Sequence, residues 1–428
     1  MATKRWIDAS GNQVIDGNSK YIIFSILNGE PAMAYDANAV VKFRTIKTFV
    51  VKETTAGTLE FPAAADAIYI SGESLNFINQ RPEYTDSPEI SNTRDVLDRV
   101  ANAYPPGSFA FQTLVRPSGT AGTEPLEDTL LECLCGTRTH NAGTSYVYTP
   151  MLSGKPTASI WFETDAGVFA MRRSTVNQAQ LQITNQGYLA WNWSGQGSAM
   201  LWAGHAELNG GNSQSETEID VVAGHEKHFS VGMYIQNITD EDTNTGAGYK
   251  ITEIDTSAHT ITITPGIVPV GGWSDEAEIA GYLPTPSVPT SYSLAAKDTT
   301  LELDDVATSK IQGINVNFND PLEFLTNEIN SSGYPETTAE GDRRIDGSLK
   351  LTFTASRLAL FTDGYSTSST NKIEIINAPA AGKSLNITLP YAKLEVPQIN
   401  PDRPVLSLDV GLLARASSGE DSFSITYY

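Results

Sequence analysis

His225-Glu226-Lys227-His228 is the segment of this 428-residue chain whose residue types come nearest to a catalytic metal site. A zinc-protease motif sets two histidines four residues apart on one helical face, with a glutamate between them as general base. Here the spacing is three and the neighbours read as strand, so solvated loop histidines are expected. Asp240-Glu241-Asp242-Thr243-Asn244-Thr245-Gly246 has the acidic alternation of a calcium loop. Its glycine falls one place late, however, and Ile251 stands where the twelfth-position glutamate belongs, so a charged turn is expected. Cys133 and Cys135 flank Leu134; that separation is poor for a disulfide, and no further cysteine pair completes a zinc site. They read as buried, reduced thiols. A nucleophile elbow, a phosphate-cradling loop and a dinucleotide fingerprint are all missing. The chain is therefore expected not to be an enzyme, with no catalytic, cofactor-binding or metal-ligating residues and no cofactor. A β-rich hydrolase built on a carboxylate pair is the enzymatic alternative, because spacing alone cannot pair carboxylates across space.

The charge balance narrows the remaining classes. Net charge is −22 and the isoelectric point is near 4.6. A nucleic-acid binder replaces counterions with Lys and Arg at its contact surface, which excludes a general binder here. A wall past which nucleic acid slides stays open, since like charge keeps phosphates from adhering. No apolar run approaches the roughly 18–20 residues of a membrane helix; the longest, Tyr21–Leu27, is a third of that. The cationic start Met1-Ala2-Thr3-Lys4-Arg5 has no apolar stretch behind it, so a secretion signal is not expected and maturation in a cytoplasm is.

Most apolar segments alternate with period two, the signature of half-buried strands. In Gln178–Thr184, Ala179, Leu181 and Ile183 alternate with Gln178, Gln180, Gln182 and Thr184. Asn185-Gln186-Gly187 supplies a turn, and Leu189, Trp191 and Trp193 share one side of the return strand. This predicts a hairpin with one apolar and one polar face. A second hairpin is predicted from Leu385, Ile387 and Leu389, then, past Pro401–Pro404, from Leu406, Leu408, Val410 and Leu412. The two hairpins close the halves of a weak repeat. Ile70–Phe77 corresponds to Ile311–Phe318, and Gly107–Gln112 to Gly347–Thr352. Each half then has a short helix (Leu126–Cys135, with Pro125 at its start and Gly136 past its end; Arg357–Thr362, ending near Gly364), a strand and the long hairpin. A further helix is predicted over Arg94–Tyr104, where Val96, Val100 and Ala101 form an apolar stripe behind the capping side chains of Ser91–Thr93. Between the halves, residues 206–290 read as a small all-β barrel or sandwich, with strands near Met233–Ile238, Tyr249–Ile254 and Thr260–Thr264. This insert carries 13 acidic residues against Lys227 and Lys250, a net of −11. It is expected to be a solvated, outward-facing decoration that is dispensable for assembly.

Val176–Leu181, Gly187–Trp191 and Trp193-Ser194-Gly195-Gln196-Gly197 resemble segments of the tail tube proteins of long-tailed bacteriophages. So do Asn79-Gln80-Arg81-Pro82, Pro105–Phe111, Arg344–Ser348 and the final hairpin; together they cover about Ala67–Gly204 and Ser309–Tyr428. The similarity is closest to the subfamily that fuses two tube domains in one chain. It implies a mainly β fold of two tandem tail-tube β-sandwich domains with long hairpins and short flanking helices, divided as 1–205, the insert 206–290, and 291–428. It further implies a structural virion protein, assembled in the host cytoplasm. Three copies would make a pseudo-hexameric ring, and stacked rings the hollow tube through which DNA passes without specific binding. Partners would be the chain itself, a tape measure protein and tail-tip and terminator proteins, with no membrane. On this reading Gln178, Gln180, Gln182 and Thr184 face the lumen as a polar lining without Lys or Arg. Leu181, Ile183, Leu189, Trp191, Trp193, Leu406, Leu408 and Val410 pack the hairpins. The first 66 residues have no counterpart in the family, and its decorations often hang at the C-terminus rather than between the halves. A tail-tip or distal tail ring, a terminator, or a carbohydrate-binding adhesin are the alternatives.

Overall fold

The computed structural model describes residues 6–7, 13–14, 46–71, 76–89, 95–184, 186–326, 333–365, 370–402 and 404–428. The chain falls into two compact units, Met1–Val40 and Val41–Tyr428. In the first, Trp6–Ile7 pairs antiparallel with Gln13–Val14; the predicted strand Tyr21–Leu27 lies outside the described residues. Everything below concerns the second unit.

Its first half contains β1 (Lys47–Lys52), β2 (Ala67–Ile68), β3 (Asn76–Asn79), β4 (Gly107–Leu114), α1 (Asp128–Cys135), β5 (Gly136–Asn141) and β6 (Ser145–Pro150). It continues with β7 (Ala158–Thr164), β8 (Gly167–Thr184), β9 (Ala190–Gly197) and β10 (Ala199–Ala203). The insert has β11 (His205–Glu207), β12 (Glu218–Asp220), β13 (Tyr234–Asn237), β14 (Tyr249–Asp255), β15 (Thr260–Thr264) and β16 (Glu278–Gly281). The second half runs β17 (Thr299–Leu303), β18 (Val306–Thr308), β19 (Ile311–Asn319), β20 (Arg344–Thr352), α2 (Ala359–Tyr365) and β21 (Asn371–Ala380). It ends with β22 (Lys383–Leu394), β23 (Gln398–Asn400), β24 (Ser407–Ala414) and β25 (Ser424–Tyr427).

Antiparallel pairings join eight strands, four from each half, in one long sheet ordered β3-β4-β9-β8-β19-β20-β24-β22. A flanking sheet, β2-β1-β7-β8-β10, covers the first half. Its counterpart, β18-β17-β21-β22-β25, covers the second and is extended by β6 and β5 from the first. The two halves thus repeat one plan in the same order, with β8 and β22 each shared between a flanking sheet and the long one. β8 makes its change at Arg173, whose φ is 51°. It pairs with β10 up to Arg172 and with β9 from Thr175 onward. The corner is held by the buried Glu53 carboxylate, which accepts from the N–H of Arg173 (2.6 Å), Thr157 Oγ1 (2.6 Å), Ser159 Oγ (3.0 Å) and the N–H of Gly57 (2.7 Å). A buried carboxylate is tolerated only when its lone pairs are met in this way. The main core lies between the long sheet and the flanking sheets. α1 buries Leu130, Leu131, Cys133, Leu134 and Cys135 there and stops at Gly136, whose φ of 94° suits a residue without Cβ.

Four expectations change. Residues 95–104 form no helix: Arg99–Ala101 pairs with Tyr84–Asp86 as a two-stranded ribbon, and Arg99 Nε bonds Asp86 at 2.6 Å. Val96 and Val100 are 58% and 62% exposed, so the apolar stripe has no core surface against which a helix would be stabilised. Leu406 precedes β24 and is 47% exposed, because the alternation enters the sheet only at Ser407. The second hairpin is looser than the first. β24 meets β22 only at Ala392–Leu394, because β22 spends Leu385–Leu389 on β21 and Leu385–Thr388 on β25.

The fourth change concerns the insert. Its strands run β11-β16-β13-β14-β15-β12, and Asn209 N to Asp220 O and Val222 N to Glu207 O, both 2.9 Å, bring the last back to the first. The acidic side chains of Glu207, Glu218, Asp220, Glu253 and Asp255 are exposed, as expected. Its interior, though, is not self-contained: Ile235, Tyr249, Ile279 and Leu283 share one core with Phe49, Trp161, Val168 and Ala170 of the first flanking sheet. β7 carries an unbroken buried run, Ala158–Phe162, because both of its faces are covered. Its counterpart β21 alternates, leaving Lys372 and Glu374 on an open face. Removing the insert would uncover Phe49 and Trp161, so it is no loosely hung decoration.

Candidate functional site

The motifs singled out from sequence have most of their polar atoms engaged within the chain, Glu226 Oε1 being an exception. His225–His228 is a single 3-10 turn with the two rings stacked at 5.3 Å. His225 Nδ1 accepts from Glu207 N at 3.2 Å and His228 Nδ1 lies 2.7 Å from His205 O. In the acidic loop, Asp242 Oδ2 accepts from Tyr249 OH (2.5 Å) and Trp273 Nε1 (2.8 Å), and Asp240 accepts from Ser274 and Asn237. These carboxylates face protein donors rather than a cation. Among the described residues, Glu302, Asp305 and Glu374 alone cluster as three potential metal ligands. Lys372 Nζ sits among them, 2.7 Å from Asp305 and 2.9 Å from Glu374, and its hydrogen bonds to Asp305 and Glu374 raise its pKa. Cys133 and Cys135 are free and buried, and burial pushes both thiols up, away from the reactive thiolate form.

What remains is the exposed face of the long sheet. Residues directly opposite in an antiparallel pair share a face, so the register assembles a cross-strand row Gln112, Asn192, Gln180, Asn317, Asp346 from five strands. Gln112 Nε2 donates to Asn192 Oδ1 (2.9 Å), Asn192 Nδ2 to Gln180 Oε1 (3.4 Å) and Asn317 Nδ2 to Asp346 Oδ1 (3.0 Å). A parallel row holds Ala190, Gln182, Asn315, Ser348 and Gly411. Gln178, Gln182 and Thr184 are exposed and Gln180 is half-buried. On the opposite face Leu181, Leu189, Trp191, Leu408 and Val410 are fully buried, with Ile183 and Trp193 nearly so.

The same face carries cations that the glutamine pattern did not announce. Arg344 and Lys350 on β20 and Lys393 on β22 share its register with Asn319, Gly313 and Leu413. Arg344 Nε bonds Asp346 at 2.7 Å and Lys350 Nζ bonds Asp402 at 2.8 Å. This face is thus polar and carries Lys and Arg, of which Arg344 and Lys350 are paired with carboxylates. The amides of β19 were visible as alternation in Ile311–Asn319, but only the β8–β19 pairing shows that they continue the glutamine face.

The two halves are locked together behind this face. Lys155 Nζ meets Asp320 Oδ2 at 2.8 Å, with side chains 1% and 4% exposed, and Arg343 Nε meets the same carboxylate at 2.8 Å. Burial pulls the Lys155 pKa down against the pull of Asp320. Both ends of the long sheet, β3 on one side and the last residues of β22 with β23 on the other, have no strand beyond them among the described residues. Beside the second edge, Ile399, Val405 and Leu406 are 47%, 48% and 47% exposed.

Residues 238–410 match the family model of the phage tail tube protein. That match supports a structural tail-tube role. It takes in four of the second half's strands in the long sheet, with all of β19, β20 and β22 and the first part of β24. No curated protein matches the chain. No helix among the described residues is long and apolar enough to cross a membrane.

Proposed function

We propose that this chain polymerises into stacked rings forming the hollow tube of a phage tail, with the Gln178–Thr184 face of the long sheet lining the lumen. The observation that carries the reading is the joint between β8 and β19. Within one chain, two halves of the same plan already sit edge to edge in a continuous sheet whose outer edges are open among the described residues. Repeating that joint between chains brings the end of β22 in one copy against β3 of the next. Closure of the ring removes the exposed edges, which are otherwise an aggregation liability. Three copies, with residues 1–205 and 291–428 each supplying a tube domain and residues 206–290 an outer barrel, would give a ring of pseudo-sixfold symmetry. The partners would be further copies of this chain, a tape measure protein, and tail-tip and terminator proteins. The place of assembly would be the host cytoplasm and the final location the virion.

DNA passage follows from the lining. Glutamine, asparagine and serine hold water, and Arg344 and Lys350 are committed to carboxylates, so phosphates find few cations to replace their counterions. The net charge of −22 adds a repulsive field. Sedimentation and negative-stain microscopy of the concentrated protein test the reading. Long hollow tubes are expected; discrete closed rings would transfer the chain to the tail tip or terminator, and a strictly monomeric protein under all conditions would refute polymerisation.

A further inference from the structure

Two strands occupy equivalent places at the margins of the flanking sheets, β10 in the first half and β25 in the second, and their outward edges are closed by different means. β25 is closed by strand addition: β6 from the first half pairs along it, Tyr146 opposite Tyr427 and Tyr148 opposite Ile425. Among the described residues the second half has no hairpin at the matching place. Between α1 and β7 lie the 22 residues that contain β5 and β6 (136–157), whereas α2 ends at Tyr365 and β21 starts at Asn371. The α2–β21 connection of a neighbouring copy therefore offers β10 no hairpin; the second half's own hairpin, Leu322–Phe324 with Thr338–Glu340, comes after β19 instead.

Its edge is covered instead by side chains and, at its end, by a backbone segment of the insert. The N–H groups of Met200 and Trp202 turn away from β8; Met200 N donates to Gln80 Oε1 (3.0 Å) and Trp202 N to Ser230 Oγ (3.2 Å). Gln80 Nε2 donates in turn to Ser198 O and Pro105 O, both at 2.8 Å, which fixes the amide. Ser230 comes from the insert, whose His228–Ser230 segment runs beside the strand: Gly204 N donates to His228 O at 2.9 Å, and Ala203 bridges Phe229.

We propose that Gln80 and Ser230 are specificity caps that close β10 to strand addition by a second copy of this chain and so favour the edges of the long sheet as the β-joint between copies. The inference rests on the tube reading above and deepens it. A bare strand edge pairs with any exposed strand of another copy, and β5, whose outer edge is free among the described residues, is such a strand. Capping the donors removes the hydrogen bonds that would reward that pairing. The joint inside each chain is then double-layered, through β8–β19 and β6–β25, while the joint between chains is single-layered.

The test compares wild type with Ser230→Ala and with Gln80→Ala/Ser230→Ala, using Ser230→Thr as the control that keeps a hydroxyl. Analytical ultracentrifugation and electron microscopy of the full chain give the fractions of protein in monomer, tube and non-tubular oligomer. Both alanine variants should show a several-fold larger non-tubular fraction, with Ser230→Thr behaving as wild type. Equal distributions in wild type and Ser230→Ala would overturn the proposal, and this single change at a half-buried serine keeps the test valid if the double variant fails to fold. Failure of wild type to form tubes would count against the tube reading; the comparison of non-tubular association would still decide the caps.

Discussion

Glu127 offers a quantitative test of the packing around α1. It stands at the N-cap position of the helix without a side-chain capping bond, is fully buried, and has one carboxylate oxygen accepting from Arg116 N at 3.2 Å and the other without a partner. Burial pushes its pKa up to about 8, opposed by backbone hydrogen bonds and the Arg116 charge. The folded state therefore holds a proton that the unfolded chain releases above its ordinary value of 4.5. The stabilising contribution is full below about pH 4.5 and falls as pH rises toward 8, then levels off. At about 1.4 kcal/mol per pH unit, the whole loss is on the order of 5 kcal/mol, an upper value because the site can relax. Glu127→Gln keeps the acceptor for Arg116 N and cannot ionise. Urea midpoints followed by emission of the buried Trp161, Trp191 and Trp193 would be compared at pH 5 and pH 8.5. The variant should be close to wild type at the lower pH and clearly more stable at the higher one. A difference between the two proteins that does not change with pH would refute a protonated, buried Glu127.

Three further outcomes are expected. Trp161→Ala should cost about 3–5 kcal/mol, because the fully buried indole packs edge-on to Phe61 (6.0 Å) and Tyr234 (6.3 Å) and donates to Glu60 O at 2.9 Å; urea unfolding should show the insert and first half lost together. Asp320→Asn should cost about 3–5 kcal/mol by stranding the buried Lys155 behind the joint between the halves, Arg343 keeping Glu420 as a partner, read as a lowered thermal midpoint that Lys155→Met in the same chain partly restores. Gln180→Lys/Gln182→Lys should leave tubes intact but slow DNA ejection from particles carrying it, measured as release kinetics; unchanged kinetics would place this face away from the lumen.

The alternation of Gln178–Thr184 and Leu189–Trp193 made the hairpin and its two faces legible, since burial of one face imposes period two. Three of the insert's strands, β13, β14 and β15, and α1 were legible for local reasons too: β-branched runs in the former, Pro125 and Gly136 in the latter. What stayed hidden is non-local. That Asn317 continues the row of Gln180, or that Arg344 and Lys350 share its face, depends on a pairing between β8 and β19 that no local pattern encodes. The Val96–Val100 stripe misled because periodicity reports a possible buried face, while the partner surface decides whether a helix forms. The shared core of the insert did leave a trace: Ala158–Phe162 has no polar alternation, as a strand covered on both faces requires.

The most direct test of the tube reading is a cryo-electron microscopy reconstruction of assembled tubes, with the position of β8 traced in cross-section. The expected result is an inner wall to which each chain contributes eight strands, with Gln178, Gln180 and Gln182 on the luminal side and the insert outside. A wall with these glutamines on the outer surface, or a joint between chains made through β10, would contradict it.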